Sequence, residues 1–422
     1  MLRGMQAPLR LGHTSPDEDQ GCAAQRQCQK DPSRDFRKAG AEGEFVLEVR
    51  LHLAVEAVGV KHGGGAVVLS DVLRAAVRCS NVERITVFSS PRNVRRFDMP
   101  GSEKIIEIPR PYAEKSVIGR LHWLTRGVQE EVRALRPDLL LCMSGIGKTC
   151  EPVPMVVFIQ QSLPFCDEAL ARCGLWTKIR INTIGRLMKR SATHAAMIVT
   201  QTPSMSEWVR QACGLRDKKI IVVKPWGDEI GMNSEQGGSV NEMLRVPSHL
   251  RLLYVGNSSP YKNLECLQAA FAEVRRRVPG TTLFLTCPSD HPFCKTAGVV
   301  GTGYLGGSAL RSAYELATVF ITPSLVESGN LTLVEAMKMG TPIAAADRPY
   351  SHDLCGDAAV YFNPHCPTEL ATAISNLIQN QAARQKLSRR GLELASMGRS
   401  ERPYDYMMER FCTMVGKARA FS

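Results

Sequence analysis

The chain reads as an α/β protein of two doubly wound domains that face each other across a cleft. Three observations predict this. Short runs of β-branched and aromatic residues alternate with amphipathic segments, first from Val46 onward and again from Leu252 onward. Between the two series, residues 227–248 are rich in Gly, Ser, Asn and Glu and carry no periodicity, as a linker does. At 422 residues, the chain also exceeds what one compact core usually holds. The expected division is an extension at 1–44, a first domain at 45–226, the linker at 227–248, a second domain at 249–402 and a terminal helix at 403–422.

Composition narrows function by exclusion. A share of 44% hydrophobic and 22% charged residues is ordinary for a folded globular chain. Aromatic residues, at 6%, are too few for an all-β protein or a base-stacking nucleic-acid binder. The net charge of +12 is spread along the length rather than gathered in a tail. It implies attraction to phosphates or to an anionic membrane surface without choosing between them. Fourteen cysteines without CxxC pairs, in a chain this long, point to reduced thiols and a cytoplasmic setting. The sequons at Asn257 and Asn330 are then expected to carry no glycan. No apolar run reaches the roughly eighteen residues that span a bilayer, so a soluble or peripheral protein is expected. Residues 1–44 read as disordered, or as an upstream extension of a coding region whose functional start lies near Arg50.

In the first half, strands over Val46–Leu53 and Ala54–Val60 lead into Lys61-His62-Gly63-Gly64-Gly65 and a helix from Ala66 to Val77. Strand, glycine loop and helix is a pattern that approaches phosphates, although a plain tight turn has the same residues. Lys61 and His62 oppose the dipole of that helix unless an anion sits between them. Further strands are expected at Arg84–Phe88 and Lys104–Ile108, then a long helix, Val117 to Leu135, with Leu121, Leu124, Val128 and Val132 on one face. The strand Leu139–Met143 ends at Ser144-Gly-Ile-Gly-Lys-Thr149, which imitates a Walker A loop. Its first glycine is replaced by Cys142, and Pro152 and Pro154 exclude the helix the motif needs, so no ATP site is expected. Strand Met155–Ile159 leads to Gln160-Gln161. A basic helix from Lys178 to Arg190 follows, suited either to a membrane surface or to plain solvent. Strand Ala196–Thr200, a helix through Trp208 and strand Ile220–Val223 close the half.

The second half repeats the grammar: strand Leu252–Val255, loop Gly256–Asn263, and a helix from Leu264 to Val278 with Leu267, Phe271 and Val274 aligned. Lys262 stands at a helix start, where a cation is disfavoured unless it holds a phosphate; a surface lysine is the plain alternative. Gly301-Thr-Gly-Tyr-Leu-Gly306 spells a dinucleotide fingerprint, yet falls in the third unit of its domain rather than the first. A strand exit and turn is expected there instead.

The second half centres on Pro323–Thr341, PSLVESGNLTLVEAMKMGT. A buried strand precedes it, and Leu333, Ala336 and Met337 mark a helix that Gly340 and Pro342 stop. Ligands of open α/β sheets settle where loops leave the strand carboxyl ends. Amides around Gly329 and Asn330 would form an anion cradle at a helix start. Glu327 and Glu335 flank that cradle and can accept from sugar hydroxyls. Such a set suits a ligand with one phosphate-rich part and two hydroxylated parts, as in a nucleotide sugar. Thr332-x-x-Glu335 is also a capping box, and Glu327 would serve equally as a solvated loop residue.

The runs LLYVGNSSPYKNLECLQAAF, YLGGSALRSAYELATVFITPSLVESGNLTLVEAMKMGTPIAAAD and CGDAAVYFNP resemble the donor domain of glycosyltransferase family 4, the group 1 glycosyl transferases. VEAVGVKHGGGAVVL and MVVFIQQSLPF are similar to its acceptor domain. The resemblance covers about residues 50–415 and implies a retaining, metal-independent enzyme of the GT-B fold. That fold has two Rossmann-like domains and a C-terminal helix packed back toward the first. By this resemblance Lys262 binds the donor diphosphate, Glu335 the ribose and Glu327 the transferred hexose. Gly256 and Asn257 form the first donor loop, Ser328, Gly329, Asn330 and Leu331 the second, and Tyr304 borders the base. His62, Gly63, Gly64, Gly65, Gln160 and Gln161 line the acceptor side. The resemblance implies no cofactor and no metal ion, only a nucleotide diphosphate sugar as co-substrate. Lysine and helix dipoles would neutralise the leaving nucleotide. Three places depart from the family: Asn257 where Arg is usual, Asn330-Leu331-Thr332 in place of Gly-Leu-Pro, and Gln160-Gln161 in place of a histidine.

The implied reaction moves a hexose-type sugar to a hydroxyl acceptor, either a glycan or lipid-linked, in surface polysaccharide or glycolipid synthesis. Peripheral contact with the inner face of a membrane accompanies that reading. A catalytically degenerate scaffold binding a glycan or protein is the alternative. Nucleic acid is not an expected partner.

Overall fold

The computed structural model describes residues 50–60, 63–90, 99–216, 219–227 and 240–420. The extension at 1–44, His62 and most of the linker lie outside the described residues. Two parallel sheets organise the rest. The first holds β1 (Leu51–Glu56), β2 (Val82–Ser89), β3 (Ile105–Pro109), β4 (Leu139–Cys142), β5 (Met155–Phe158), β6 (Met197–Thr200) and β7 (Ile220–Val222) in the order 3-2-1-4-5-6-7. The second holds β8 (Arg251–Tyr254), β9 (Thr282–Leu285), β10 (Val299–Gly301), β11 (Val319–Thr322), β12 (Ile343–Ala346) and β13 (Ala359–Phe362) in the order 10-9-8-11-12-13. Strand order reverses beside β1 in one sheet and beside β8 in the other, which opens a crevice at the carboxyl ends of each.

The strands are near-continuous runs of Val, Ile, Leu and Ala because helices cover both faces. On one face of the first sheet the helix Gly64–Arg78 lays Val68, Val72, Leu73 and Ala76 onto β1 and β4. The C-terminal helix, Pro403–Ala420, completes that same core with Met407, Met408, Phe411 and Val415. It therefore packs back on the first domain, as the fold requires. The chain passes between the halves where Gly398 lies against the Trp226 ring; a Cβ there would stand 2.4 Å from it.

On the opposite face, the expected helix Val117–Leu135 is interrupted. Val117–His122 and Val128–Leu135 are α-helical, but Trp123–Gly127 forms a wider π turn. The extra residue rotates everything before it relative to everything after it. Trp123 is carried inward to full burial, and Leu121, expected on the buried face, is left half exposed. A further helix, Gln381–Ser400, was not among the expected elements. The Gly301–Gly306 segment is the strand exit and turn expected: Gly301 ends β10, Gly303 takes a positive φ and a helix starts at Gly307. Cys150 and Val153 form an isolated bridge where a P-loop would need a helix.

Candidate active site

The second-domain loops converge at the carboxyl ends of β8 and β11. Pro260–Lys262 makes one tight turn, and Asn263, at φ 57°, ends it and opens the helix Leu264–Arg277. Asn263 is buried because its amide nitrogen spans the carbonyls of Pro323 (3.3 Å) and Pro364 (2.8 Å). That bridge fixes the loop carrying Lys262 against the one carrying Glu327. The Lys262 Nζ donates to Glu327 Oε1 at 2.5 Å, with side chains only 15% and 13% exposed. Burial alone would pull the lysine pKa down. The Glu327 carboxylate and the Tyr261 phenol outweigh it and hold the ammonium above its ordinary value. The site thus keeps a desolvated cation and a desolvated anion in contact.

Glu335 lies in the helix Leu331–Lys338, its carboxylate buried and accepting from the Tyr314 hydroxyl at 2.9 Å. Burial lifts its carboxyl to about 7, against the opposing pull of the Tyr314 bond and of Lys338. The capping box does not form. The helix begins at Leu331 behind Asn330, no side chain caps it, and Thr332 Oγ1 donates to Asn330 Oδ1 at 2.6 Å. Asn330 takes φ +20°, and its amide nitrogen reaches Thr322 Oγ1 at 3.3 Å. Its side chain holds this tight bend, which turns the uncapped helix start toward the crevice.

Gly256 sits at φ +156°, and a Cβ there would stand 2.7 Å from the Tyr254 hydroxyl, which donates to the Asn257 carbonyl at 2.6 Å. Asn257 is exposed, and its side-chain oxygen accepts from the Ser259 amide at 3.0 Å. Tyr304 is exposed just before the helix Gly307–Leu316.

The first domain meets this loop directly. Ser328 Oγ donates to the Gln160 carbonyl at 2.7 Å, while Thr202 Oγ1 donates to the Ser328 carbonyl at 3.1 Å. Gln201 Oε1 accepts from Ser328 Oγ at 3.2 Å, and the side chain presses on Gly329, where a Cβ would lie 2.6 Å from Gln201 Cδ. A Cβ on Gly64 would stand 3.0 Å from Leu331 Cδ1, so the glycine loop and the start of the Leu331–Lys338 helix touch across the crevice. Gln160 also donates to the Met143 carbonyl at 3.0 Å, and Gln161 beside it is half buried. An apolar seam backs these bonds: Leu163, Leu170 and Ile181 of the first domain pack on Leu325 and Val326 of the second. Ser204 anchors Asp353 through its amide at 2.8 Å.

Tyr314, Gln201 and Thr202 were absent from the expected site, as was Glu56. Glu56, at the end of β1, is fully buried. It accepts from Trp123 Nε1 at 3.1 Å and Ser144 Oγ at 2.9 Å, with Arg120 Nη1 3.4 Å away. A polar residue ending an apolar strand was the one signal that would have singled it out.

Comparison with known proteins agrees with this geometry. Residues 249–380 match the family described as Glycosyl transferases group 1. An uncharacterized glycosyltransferase of Methanocaldococcus jannaschii is 22% identical over 235 residues, 51% of this chain and 59% of that protein. A D-inositol 3-phosphate glycosyltransferase of Segniliparus rotundus is 31% identical over 144 residues, 31% of this chain and 32% of that one. The chain thus spans less than two thirds of the length of either relative. The crystal structure of Anabaena HepE in complex with UDP and glucose superposes with a TM-score of 0.60 at 15% identity, covering 88% of this chain and 100% of that one. The architecture is the GT-B fold, and its second domain is related to the group 1 glycosyl transferases.

Proposed function

We propose that the chain is a retaining glycosyltransferase that moves a hexose-type sugar from a nucleotide diphosphate sugar to a hydroxyl acceptor. The observation that carries this reading is the buried Lys262–Glu327 pair beside the uncapped start of the Leu331–Lys338 helix. A diphosphate entering the crevice would take Lys262 from Glu327 and meet the helix amides with its remaining oxygens. Glu327, released from the lysine, would accept from hydroxyls of the transferred sugar. Glu335, tied at one oxygen to Tyr314, would offer the other to the ribose.

In the transfer, the bond from the anomeric carbon to the diphosphate oxygen breaks as the acceptor oxygen bonds on the same face. The electron pair leaves with the nucleotide diphosphate, whose charge Lys262 and the amides neutralise, and the acceptor proton passes to the leaving group. The buried carboxylate of the first domain, Glu56, has both oxygens engaged by Trp123, Ser144 and Arg120, which favours same-face attack over a covalent intermediate on that residue. A nucleotide-sugar donor accords with the UDP and glucose bound by HepE. The acceptor would be a glycan or lipid-linked hydroxyl in surface polysaccharide or glycolipid synthesis.

The test is a panel of UDP-, GDP- and dTDP-sugars, scored by thermal shift and by nucleotide release. Binding to at least one donor, lost in Lys262→Ala and Glu335→Ala, is expected. Binding to none, with both variants indistinguishable from the wild type, ends the proposal.

A further inference from the structure

Three successive residues of the second domain, Tyr261, Lys262 and Asn263, divide one task among them. The middle one carries the cation of the site, and the first domain grips the outer two. Arg172 follows the short helix Asp167–Ala171 of that domain, and its Nη1 donates to Asn263 Oδ1 at 2.9 Å. From the same stretch, Leu170 and Cys173 join Leu163, Leu325 and Val326 in the apolar seam against which Tyr261 packs.

These contacts fix the sense of the Asn263 amide. Its nitrogen donates to the carbonyls of Pro323, just after β11, and Pro364, just after β13, so its oxygen faces Arg172. Rotated by half a turn, the amide would set its oxygen against two carbonyl oxygens and its N–H groups against a guanidinium. Asn263 is only 2% exposed, so its oxygen has little water to fall back on if Arg172 is truncated. A buried acceptor left without a partner is costly. Asn263 also stands at φ 57°, a left-handed conformation that persists where its surroundings over-determine it.

Lys262 is pinned through its neighbours. The Tyr261 carbonyl accepts from the Leu325 amide at 2.9 Å, and the turn is closed by the Lys262 amide on the Ser259 carbonyl at 2.8 Å. The Lys262 Nζ lies 5.4 Å from the centre of the Tyr261 ring and 2.5 Å from Glu327 Oε1. The grips on Tyr261 and Asn263 therefore decide where the ammonium stands. The bland role for Arg172 is its ion pair with Glu265 at 3.5 Å, but that glutamate side chain is 92% exposed. Surface pairs of this kind contribute little. The bond to the buried amide is the shorter and better shielded of the two.

We propose that Arg172 is a positioning residue for Lys262, acting from the first domain through Asn263. The lysine is then fully held only while the first domain is seated on its turn. Misplacing a group by about 1 Å in this way can cost roughly 100-fold in rate. That role in turnover rests on the transferase reading; the grip on the turn does not.

The experiment compares the full chain with Arg172→Met, which keeps the apolar stem and loses the donors, and with Arg172→Lys and Glu265→Ala. One readout is nucleotide release from the UDP-, GDP- or dTDP-sugar that is active in the donor panel. The other is trace acetylation of Lys262 by acetic anhydride without donor, followed by mass spectrometry. Arg172→Met is expected to lower kcat about 10- to 100-fold while donor KM moves less than about threefold. Its Lys262 acetylation should rise several-fold. Arg172→Lys should recover much of both, since an ammonium can donate to the same oxygen. Glu265→Ala should match the wild type. Unchanged acetylation in Arg172→Met overturns the proposal whatever happens to turnover, and so does raised acetylation at wild-type kcat. A Glu265→Ala protein as impaired as Arg172→Met also overturns it, by giving the effect to the surface pair. If Arg172→Met does not fold, Arg172→Gln, with its shorter reach, is read by the same criteria. If no sugar of the panel is active with the wild type, raised acetylation keeps the grip and ends the transferase reading, while unchanged acetylation ends both.

Discussion

The two halves carry sheets of the same design, yet they hold their polar groups in opposite ways. In the second domain, Lys262, Glu327 and Glu335 come from loops and one helix within a short reach of β8 and β11; Lys262 faces Glu327, Glu335 keeps one oxygen off its Tyr314 bond, and on the proposed reading these charges serve a ligand. In the first domain, Glu56, Arg120, Ser144, Gln160 and Gln201 come from the ends of separate strands or from a helix, and each is spent on a neighbour. On the proposed reading, a half that binds an invariant diphosphate can concentrate its groups. On the same reading, a half that fits an acceptor is shaped by packing, and its polar residues first hold that shape.

The sharpest break of this contrast is Lys262→Ala. If the lysine is reserved for the leaving diphosphate, turnover should fall by about 100- to 1,000-fold, the loss typical when one charge-stabilising donor is removed. The variant also strands Glu327 as a buried carboxylate. Lys262→Ala with Glu327→Gln should therefore recover stability in a denaturant titration without recovering turnover.

The mirror experiment is Glu56→Ala. It leaves the Trp123 indole N–H and the Arg120 guanidinium without their carboxylate. Breaking a buried pair from one side should cost about 3 kcal/mol of folding stability. Donor-induced thermal shifts should persist in whatever fraction stays folded. A Glu56→Ala protein of wild-type stability that no longer binds donor would place Glu56 in the site and dissolve the contrast.

Glu335 sharpens it through pH. Its carboxyl titrates near 7 in the fold against an ordinary value of 4.5. The folded state thus holds the proton more tightly than the unfolded chain does. Its contribution to stability is greatest below the ordinary value, declines as pH rises between the two and is gone above 7. The decline amounts to on the order of 3 kcal/mol. Glu335→Gln should flatten that part of the stability curve and be the more stable form at about pH 8. Donor affinity should move oppositely in the wild type, rising through 7 as the ionised carboxylate becomes the better acceptor for ribose hydroxyls. In Glu335→Gln it should be weak and flat.

The same contrast governs what the sequence disclosed. The two-sheet GT-B architecture was legible because each strand is a short apolar run and each helix an apolar stripe between breakers. Lys262, Glu327 and Glu335 were grouped through the family resemblance, and the structure places Lys262 against Glu327. Tyr314 and Gln201 were not, since their bonds to Glu335 and Ser328 exist only once distant strands are neighbours. Leu121 was misplaced because a π turn changes phase without changing composition. The helix Gln381–Ser400 escaped because the residues it buries are Gly391, Ala395 and Gly398, too small to mark a face.

The smallest expected effect tests whether the halves cooperate at all. Gly64 is the first residue of its helix, and its φ lies outside the left-handed region, so alanine fits the backbone. Gly64→Ala should leave folding stability unchanged or raise it by about 0.5–1 kcal/mol, because glycine loses more freedom on folding. Across the crevice the new methyl would stand 3.0 Å from Leu331 Cδ1, closer than a relaxed contact, so the Leu331 side chain or the helix start that bears it must give by a few tenths of an ångström. Donor KM should then rise a few-fold with kcat little changed, since the cradle is loosened and Lys262 is untouched. A more stable protein that binds its donor less well would show that the touch between Gly64 and Leu331 belongs to the site rather than to the fold. If stability and KM both stay fixed, the first domain contributes nothing to donor binding at this point.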